Sequence, residues 1–288
     1  MAANNSSPNL YERMLTIDRR WIFMLLTIVV VVVYMLDLKV PVNVTEEVRT
    51  IYERIEGLNE GAVILLGMDY DPSTLAELHP MTYTLLKQCF RKKVKVLVTA
   101  LHQNGPGMAD QAIRESATLH YEATGDSVEY GRDLVFLGYK PYPAIVINSL
   151  GQDFHISFPL DYYNTSIDSL PLTQRINNLT QVAAIINISG TSATDYWISY
   201  GAAAYNVPLA IGVTGVMATD YYPYLQAGRI FGLMGGLKGA AEYEQLAGNV
   251  GSATAGMAMQ MWAHLLIIFF IIIGNIGYFM SKMQGAKE

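Results

Sequence analysis

The sequence predicts a three-layer α/β domain with a mostly parallel sheet of about five strands, inserted between two transmembrane helices. Two long apolar segments, one near each end of the chain, predict the transmembrane helices. Between them, short apolar runs alternate with helical segments, which predicts parallel strands that are covered on both faces. The composition agrees, because 51% of the 288 residues are hydrophobic and only 15% are charged.

The first predicted span, residues 21–38, contains the uncharged run Trp21–Leu36. A helix of that run is about 24 Å long, slightly shorter than a hydrocarbon core of ~30 Å, and Arg20 can extend it by snorkelling. No small-x-small cleavage site follows the run, so the sequence favours an uncleaved signal anchor over a signal peptide.

The short apolar runs predict a Rossmann-like sheet. The predicted strands cover residues 62–67, 93–99, 143–148, 182–188 and 208–214, with helices near residues 73–91, 108–120 and 193–205. The carboxyl ends of parallel strands meet at one edge of a sheet, where ligands usually bind. The candidate ligand-binding residues are therefore those that follow the strands, namely Asp69, Asp71, His102, Ser189, Thr191 and Thr214.

The sequence GMDYDPST, residues 67–74, places Asp69 and Asp71 directly after the first predicted strand. It resembles the nucleophile loop of the haloacid dehalogenase superfamily, and Thr99 stands where that family keeps a hydroxyl. The resemblance implies a hydrolase in which one aspartate attacks and the other handles protons beside magnesium. The match is incomplete, because Ser73 replaces the Thr or Val of that family and no matching lysine or acidic magnesium-binding loop follows.

The same residues also have a purely structural interpretation. Asp71 would begin a turn with Pro72, and Ser73 or Thr74 would cap the next helix. Cys89, the single cysteine, excludes an intrachain disulfide and falls inside a predicted helix, which indicates a small core residue. The histidines lack the spacing of a metal site, and the sequence predicts no metal and no cofactor.

The segment 225–256 is rich in glycine and alanine. If it is helical, glycines four residues apart would form a bare ridge on which another helix packs closely, and the helix could continue into the second span. The alternative is a set of loops with glycine turns. The glycines concerned are Gly232, Gly235, Gly236 and Gly239.

Tyrosines lie just upstream of this segment, and they could belong to a protein interface, a ligand pocket or the membrane surface. We favour the interface, because the cluster adjoins the glycine-rich segment. The tyrosines concerned are Tyr221, Tyr222 and Tyr224.

The second predicted span, residues 257–280, is centred on the run LLIIFFIII and is too long for an ordinary core helix. The positive-inside rule then predicts cytoplasmic tails, residues 1–20 and 281–288, and an extracytoplasmic domain, residues 39–256. The basic residues that flank the spans on the outer sides are Arg13, Arg19, Arg20, Lys282 and Lys287.

These observations predict a non-enzymatic, two-span membrane protein whose extracytoplasmic domain is an assembly or scaffold component. Its partners would be the lipid bilayer and either further copies of the chain or another membrane protein. A formal charge of −6 argues against a nucleic-acid partner. The first alternative is a ligand-binding sensor that uses the strand-end edge, and the second is a metal-dependent hydrolase at Asp69 and Asp71.

Overall fold

The computed structural model describes residues 17–38, 40–248 and 251–285. It divides into two compact units: one is Pro41–Thr254, and the other combines the two terminal segments of the chain. Arg13 and Lys287, on which the predicted orientation partly depends, lie outside the described residues.

The unit between the terminal segments is built on one six-stranded sheet, in which all neighbouring strands are parallel. The strand order β3-β2-β1-β4-β5-β6 is that of a doubly wound, Rossmann-like sheet. The predicted α/β class with a mostly parallel sheet is therefore confirmed, with six strands in place of about five. The strands are β1 Val63–Asp69, β2 Lys95–Ala100, β3 Leu134–Tyr139, β4 Ala184–Ser189, β5 Leu209–Val213 and β6 Gly232–Gly235.

Helices flank the sheet, and a π-helical segment, Trp197–Ala202, joins two short helices after β4. Short 3-10 turns at Ile167–Ser169 and Leu179–Gln181 belong to the crossover from β3 to β4. The helices are α1 Arg19–Met35, α2 Glu46–Glu56, α3 Leu75–Arg91, α4 Gly105–Thr124, α5 Pro143–Gln152, α6 Phe154–Ser157, α7 Ala193–Tyr196, α8 Ala203–Tyr205, α9 Gly215–Gln226, α10 Gly236–Leu246 and α11 Ser252–Gly285.

The core follows from the alternation of side chains along the strands. Val63 and Leu65 of β1 pack in one cluster with Ile147 of α5 and Trp197 of the π-helical segment. The intervening β1 side chains point to the other face, where α3 packs against α4 and α10. Cys89 is fully buried in α3, as expected of a small core residue.

The two terminal helices form the other unit. Within the described residues, Ser252–Met283 is the one helix that is long and apolar enough to cross a membrane by length and composition. It contains the whole of the predicted second span. The predicted first span corresponds to α1, which has 17 residues and begins after Asp18, whose side chain accepts a hydrogen bond from the Arg20 amide.

The predicted third strand, residues 143–148, is wrong, because these residues form the first part of α5. Pro143 fits the first turn of a helix, where its missing N–H is not needed, and Tyr142 before it has a positive φ of 65° that interrupts extended backbone. The true β3 lies in the preceding segment, which reads as a connection because Gly138 interrupts its apolar pattern. Short apolar runs do not by themselves distinguish strand from helix.

The continuous glycine-rich helix is also wrong. Gly232 and Gly235 bound strand β6, and Gly236 starts α10 with a φ of 58°, so the predicted glycine ridge does not exist. A Cβ at Gly239 would lie 2.9 Å from the Met234 backbone, and one at Gly232 would collide with Ile51. The close approach expected of these glycines therefore occurs within one domain.

The predicted run of this helix into the second span is not present either. Helix α10 ends at Leu246, and Gly248 follows with a φ of 70° before α11 begins at Ser252. Glycine takes up such positive φ values without the steric cost that a Cβ would bring, so Gly248 suits a position just past the end of α10.

Candidate functional site

The strands β1 and β4 occupy the centre of the sheet, and the chain leaves them in opposite directions. This is the switch point at which open α/β sheets form a crevice at the carboxyl ends of the strands. Asp69, the last residue of β1, is paired in register with Ser189, the last residue of β4. The candidate site is built on these two strand ends and on the loops that follow them.

Asp69 is fully buried, and both of its carboxylate oxygens accept hydrogen bonds from N–H groups. Its Oδ1 accepts from the backbone amide of Leu101 at 2.6 Å. Its Oδ2 accepts from Asn187 Nδ2 at 2.7 Å and from Trp197 Nε1 at 2.9 Å. Asn187 is itself held by Thr194, whose hydroxyl donates to Asn187 Oδ1 at 2.9 Å. This network fixes the ends of β1, β2 and β4 and the π-helical segment to one another.

Burial raises the pKa of Asp69 to about 6, against the opposing effects of its three N–H donors and of nearby His102. The carboxyl group is thus mostly ionised at neutral pH, which suits a group that only accepts hydrogen bonds. Because no part of Asp69 is exposed and both oxygens are occupied, its carboxylate is not placed to attack a substrate. The arrangement differs in this respect from the nucleophile that the dehalogenase resemblance implies.

Gly67 makes room for this network. A Cβ at Gly67 would lie 2.9 Å from Asn187 Nδ2 and 3.1 Å from Trp197 Nε1, so any larger residue would displace the groups that bind Asp69. Trp197 begins the π-helical segment, and such segments are frequent at functional sites.

Two of these partners were not identified from the sequence. Asn187 stands in an apolar run and Trp197 in an Asp-Tyr-Trp cluster, and neither points to Asp69 before the strand register is known.

The remaining predicted residues of this edge lie close by. Ser189 and Thr191 each donate a hydroxyl hydrogen bond to the backbone carbonyl of Asp69, at 3.3 Å in both cases. His102 lies in the short loop after β2, where its backbone carbonyl accepts a hydrogen bond from the Gly105 amide at 2.9 Å. The structure thus brings five of the six candidate ligand-binding residues together at one edge.

Asp71 begins a turn that leads into the next helix, which is the structural interpretation of this segment given above. Its Oδ1 accepts from the Ser73 amide at 2.9 Å and from the Ser73 hydroxyl at 2.6 Å, which lowers the pKa of Asp71. Thr74 is the N-cap residue of α3, but its side chain makes no capping hydrogen bond, and its hydroxyl instead donates to the Asp71 carbonyl at 3.2 Å. These bonds form a turn that starts the helix.

Thr99 and Thr214 do not join this group. Thr99 is fully buried in β2, and its hydroxyl lies 3.4 Å from the carbonyl of Gly138 on the side of β3. Thr214 is the N-cap residue of α9, where the next amide, of Gly215, donates to Glu77 Oε2 at 2.8 Å. Glu77 was not identified from the sequence, and it places a carboxylate at the start of α9.

Exposed apolar side chains are frequent in the first two turns of the helices that follow β3, β4 and β5. Val216, Tyr142 and Ile145 are 86%, 73% and 69% exposed. Tyr196 and Tyr200 are also exposed, and their rings stack with centroids 6.3 Å apart. We call these five residues the apolar rim.

The three elements that carry the rim are neighbours. Helix α5 packs against the π-helical segment and α7. Tyr221 of α9 donates to Asp195 of α7 at 3.1 Å. Tyr221 itself is buried, so it does not offer the exposed surface expected of it, whereas Tyr222 and Tyr224 are exposed.

Among the described residues, no group of three or more His, Cys, Asp or Glu side chains could hold a metal ion. No protein-family model matches the chain. No curated protein matches it either.

The chain is similar to several solved structures, among them two at low sequence identity. One is described as "Trehalose-6-phosphate synthase. OtsA", with 10% identity and a TM-score of 0.31. The other is described as "Trehalose-6-phosphate from E. coli bound with UDP-2-fluoro glucose", with 11% identity and a TM-score of 0.30. The similarity covers 84% and 83% of this chain and 47% of each of those chains. The chain spans about half the length of these structures.

Proposed function

We propose that this chain is a membrane-anchored, non-enzymatic assembly component whose α/β domain docks onto a second copy through the apolar rim. The exposure of the rim is the observation that carries the proposal. Large apolar side chains that face water singly are common, but a group of them on three neighbouring elements is typical of an interaction surface. Tyrosine, which supplies three of the five rim residues, is enriched at such surfaces.

The proposal includes two membrane anchors. Helix α11 has the length and composition of a span. Helix α1 carries no charged residue from Trp21 to Met35, and most of its large apolar side chains, such as Phe23, are exposed. Exposed apolar surface of this extent is unfavourable in water and favourable in lipid, which supports a second span. The basic residues outside both spans favour cytoplasmic termini and an extracytoplasmic domain.

Asp69 is fully buried and both of its carboxylate oxygens are hydrogen-bonded, which favours an assembly role over a catalytic one. A nucleophile or general base needs an accessible atom within hydrogen-bond reach of its substrate. Both oxygens of Asp69 instead bind amide and indole N–H groups inside the domain. We therefore expect Asp69 to hold the strand ends in place.

The proposal is tested by the molecular mass of the full chain in lipid nanodiscs, measured by light scattering with the lipid contribution subtracted. The wild type should form a uniform oligomer, and the double variant Ile145→Ser, Val216→Ser should be a monomer. The matched control is Tyr121→Ser, which removes an exposed aromatic side chain from α4 and should leave the oligomer intact. A monomeric wild type, or an oligomer that the double variant does not disturb, would contradict docking between copies.

A ligand-binding sensor is the second candidate, and the position of Asp71, His102 and Thr191 at the switch point favours it. A ligand there would stabilise the folded chain, by about 2.7 kcal/mol at a hundredfold excess over Kd. The test is a thermal unfolding screen of the full chain against small polar metabolites, with His102→Gln as the comparison. A metabolite that stabilises the wild type but not His102→Gln would favour the sensor.

A further inference from the structure

A cavity of about 630 Å³ opens at the amino ends of β2 and β3, away from the candidate site. Lys95, the first residue of β2, and Asp133, which directly precedes β3, both line it. The cavity is thus at the opposite edge of the sheet from Asp69, which ends β1. Its volume falls within the range of about 300–1,000 Å³ that is usual for small-molecule sites.

The lining combines apolar surface with an excess of basic groups. Phe90, Val94 and Val128 supply apolar surface, and the Phe90 ring lies edge-to-face with His120 at a centroid distance of 5.9 Å. The chain as a whole has more acidic than basic residues, so a local excess of basic residues is a distinct feature. The charged residues of the lining are Arg91, Lys93, Lys95, Arg132 and Arg175, with Glu60, Asp126 and Asp133.

Several of these basic groups already have partners. Arg91 pairs with Glu56. Arg132 pairs with Glu129 and with Asp133, the latter at 2.9 Å. These guanidinium groups are therefore engaged within the protein.

Lys95 and Arg175 have donors to spare. The Lys95 side chain is 13% exposed, and its Nζ donates to the Arg132 carbonyl at 2.8 Å while lying 3.7 Å from Asp133 Oδ1. An ammonium group has three N–H donors, so at least one remains available. Arg175 is exposed and makes no ion pair with the described residues.

We propose that this cavity binds a small phosphorylated molecule, with Lys95 and Arg175 on the phosphate and with Phe90, Val94 and Val128 against the organic part. Arg175 offers a guanidinium group that is unpaired among the described residues, and Lys95, which shares Asp133 with Arg132, offers a spare ammonium donor. Together they suit the two negative charges of a phosphate monoester. The flat fork of a guanidinium group also fits phosphate oxygens in pairs. The phosphate could belong to a soluble metabolite or to a phospholipid headgroup, which share this chemistry.

The test uses phenyl phosphate as the probe, titrated into the full chain in phosphatidylcholine nanodiscs and followed by calorimetry. We expect saturable binding that Lys95→Met and Arg175→Gln each weaken by about tenfold or more, which is 1.4 kcal/mol or more. Lys140→Gln is the control, because it removes the same charge near the end of β3, at the other edge of the sheet, and should bind like the wild type. Arg175→Gln keeps the test valid if Lys95→Met fails to fold, since Arg175 is exposed.

Nanodiscs that also contain phosphatidic acid distinguish the two sources of phosphate. If headgroups occupy the cavity, the wild type should bind phenyl phosphate more weakly in these nanodiscs than in phosphatidylcholine alone. If a soluble metabolite is the natural ligand, the affinity should be the same in both. The proposal is overturned if the wild type shows no saturable binding, or if both variants bind phenyl phosphate as tightly as the wild type.

Discussion

Trp197 donates its indole N–H to Oδ2 of Asp69 at 2.9 Å, and both side chains are fully buried. The bond connects the end of β1 to the π-helical segment after β4, across the switch point of the sheet. A buried carboxylate that loses a donor keeps its desolvation cost, so this contact is more expensive to remove than its net contribution suggests.

We expect Trp197→Phe to lower the free energy of unfolding by about 2–4 kcal/mol, because it removes both the N–H donor and part of the packed indole. The measurement is urea unfolding of the full chain in detergent, followed by far-ultraviolet circular dichroism. Trp262→Phe is the control, since Trp262 is partly exposed on α11 and makes no such bond among the described residues. Equal stability of the two variants would show that the indole N–H does not matter to the fold.

Gly67→Ala should destabilise the domain by about 1–3 kcal/mol, because its Cβ would press on Asn187 Nδ2 and Trp197 Nε1. Gly107→Ala is the matched control, since a Cβ there meets nothing within 4 Å and lies in the first turn of a helix. Thermal unfolding of both variants checks the prediction. A Gly67→Ala protein as stable as Gly107→Ala would mean that the network tolerates displacement.

Much of the sheet is readable from the sequence, because β1, β2, β4 and β5 are apolar runs of the length that buried strands require. The sequence predicts the third strand within α5, and it predicts neither β3 nor β6. Both errors have one physical cause. Glycine interrupts the apolar pattern of β3 at Gly138 and bounds β6 at Gly232 and Gly235, so both strands resemble connections. Their strand conformation depends on the neighbouring strands with which they pair.

The sequence predicts where the candidate site lies, but not which groups form hydrogen bonds with Asp69. Parallel strands bring their carboxyl ends together, which is why Asp69, His102 and Ser189 could be assigned to one edge. The partners of Asp69 depend on which face each side chain takes and on the turn of the π-helical segment. Neither is set by residue type alone, so Asn187 and Trp197 emerge only from the structure.

Glu77 places its Oε2 at 2.8 Å from the Gly215 amide at the start of α9. A carboxylate at a helix N-terminus is stabilised by the free amides and the helix dipole there. We expect Glu77→Ala to lower the free energy of unfolding by about 0.5–2 kcal/mol. Glu122→Ala, an exposed position on α4, should change it by less than about 0.5 kcal/mol. The free energies of unfolding of both variants are measured by chemical denaturation. Equal losses in the two variants would show that Glu77 does not cap α9.

The pH dependence of stability tests the ionisation of Asp69. Its pKa is about 6 in the folded chain and about 3.9 in the unfolded chain, so between these values the folded state binds a proton that the unfolded state does not. This group therefore favours the folded state most at low pH, and its contribution decreases as the pH rises from about 4 to about 6. The total change is about 3 kcal/mol, from about two pKa units.

Other carboxyl groups have the opposite effect, since the pKa values of Asp133 and Asp153 are lowered in the folded chain. The contribution of Asp69 is isolated by comparing the wild type with Asp69→Asn, in which residue 69 does not titrate. On acidification from pH 7 to pH 4, we expect the wild type to gain stability relative to this variant. Parallel pH profiles for the two proteins would place the folded-state pKa of Asp69 near its ordinary value, and burial would then not dominate its ionisation.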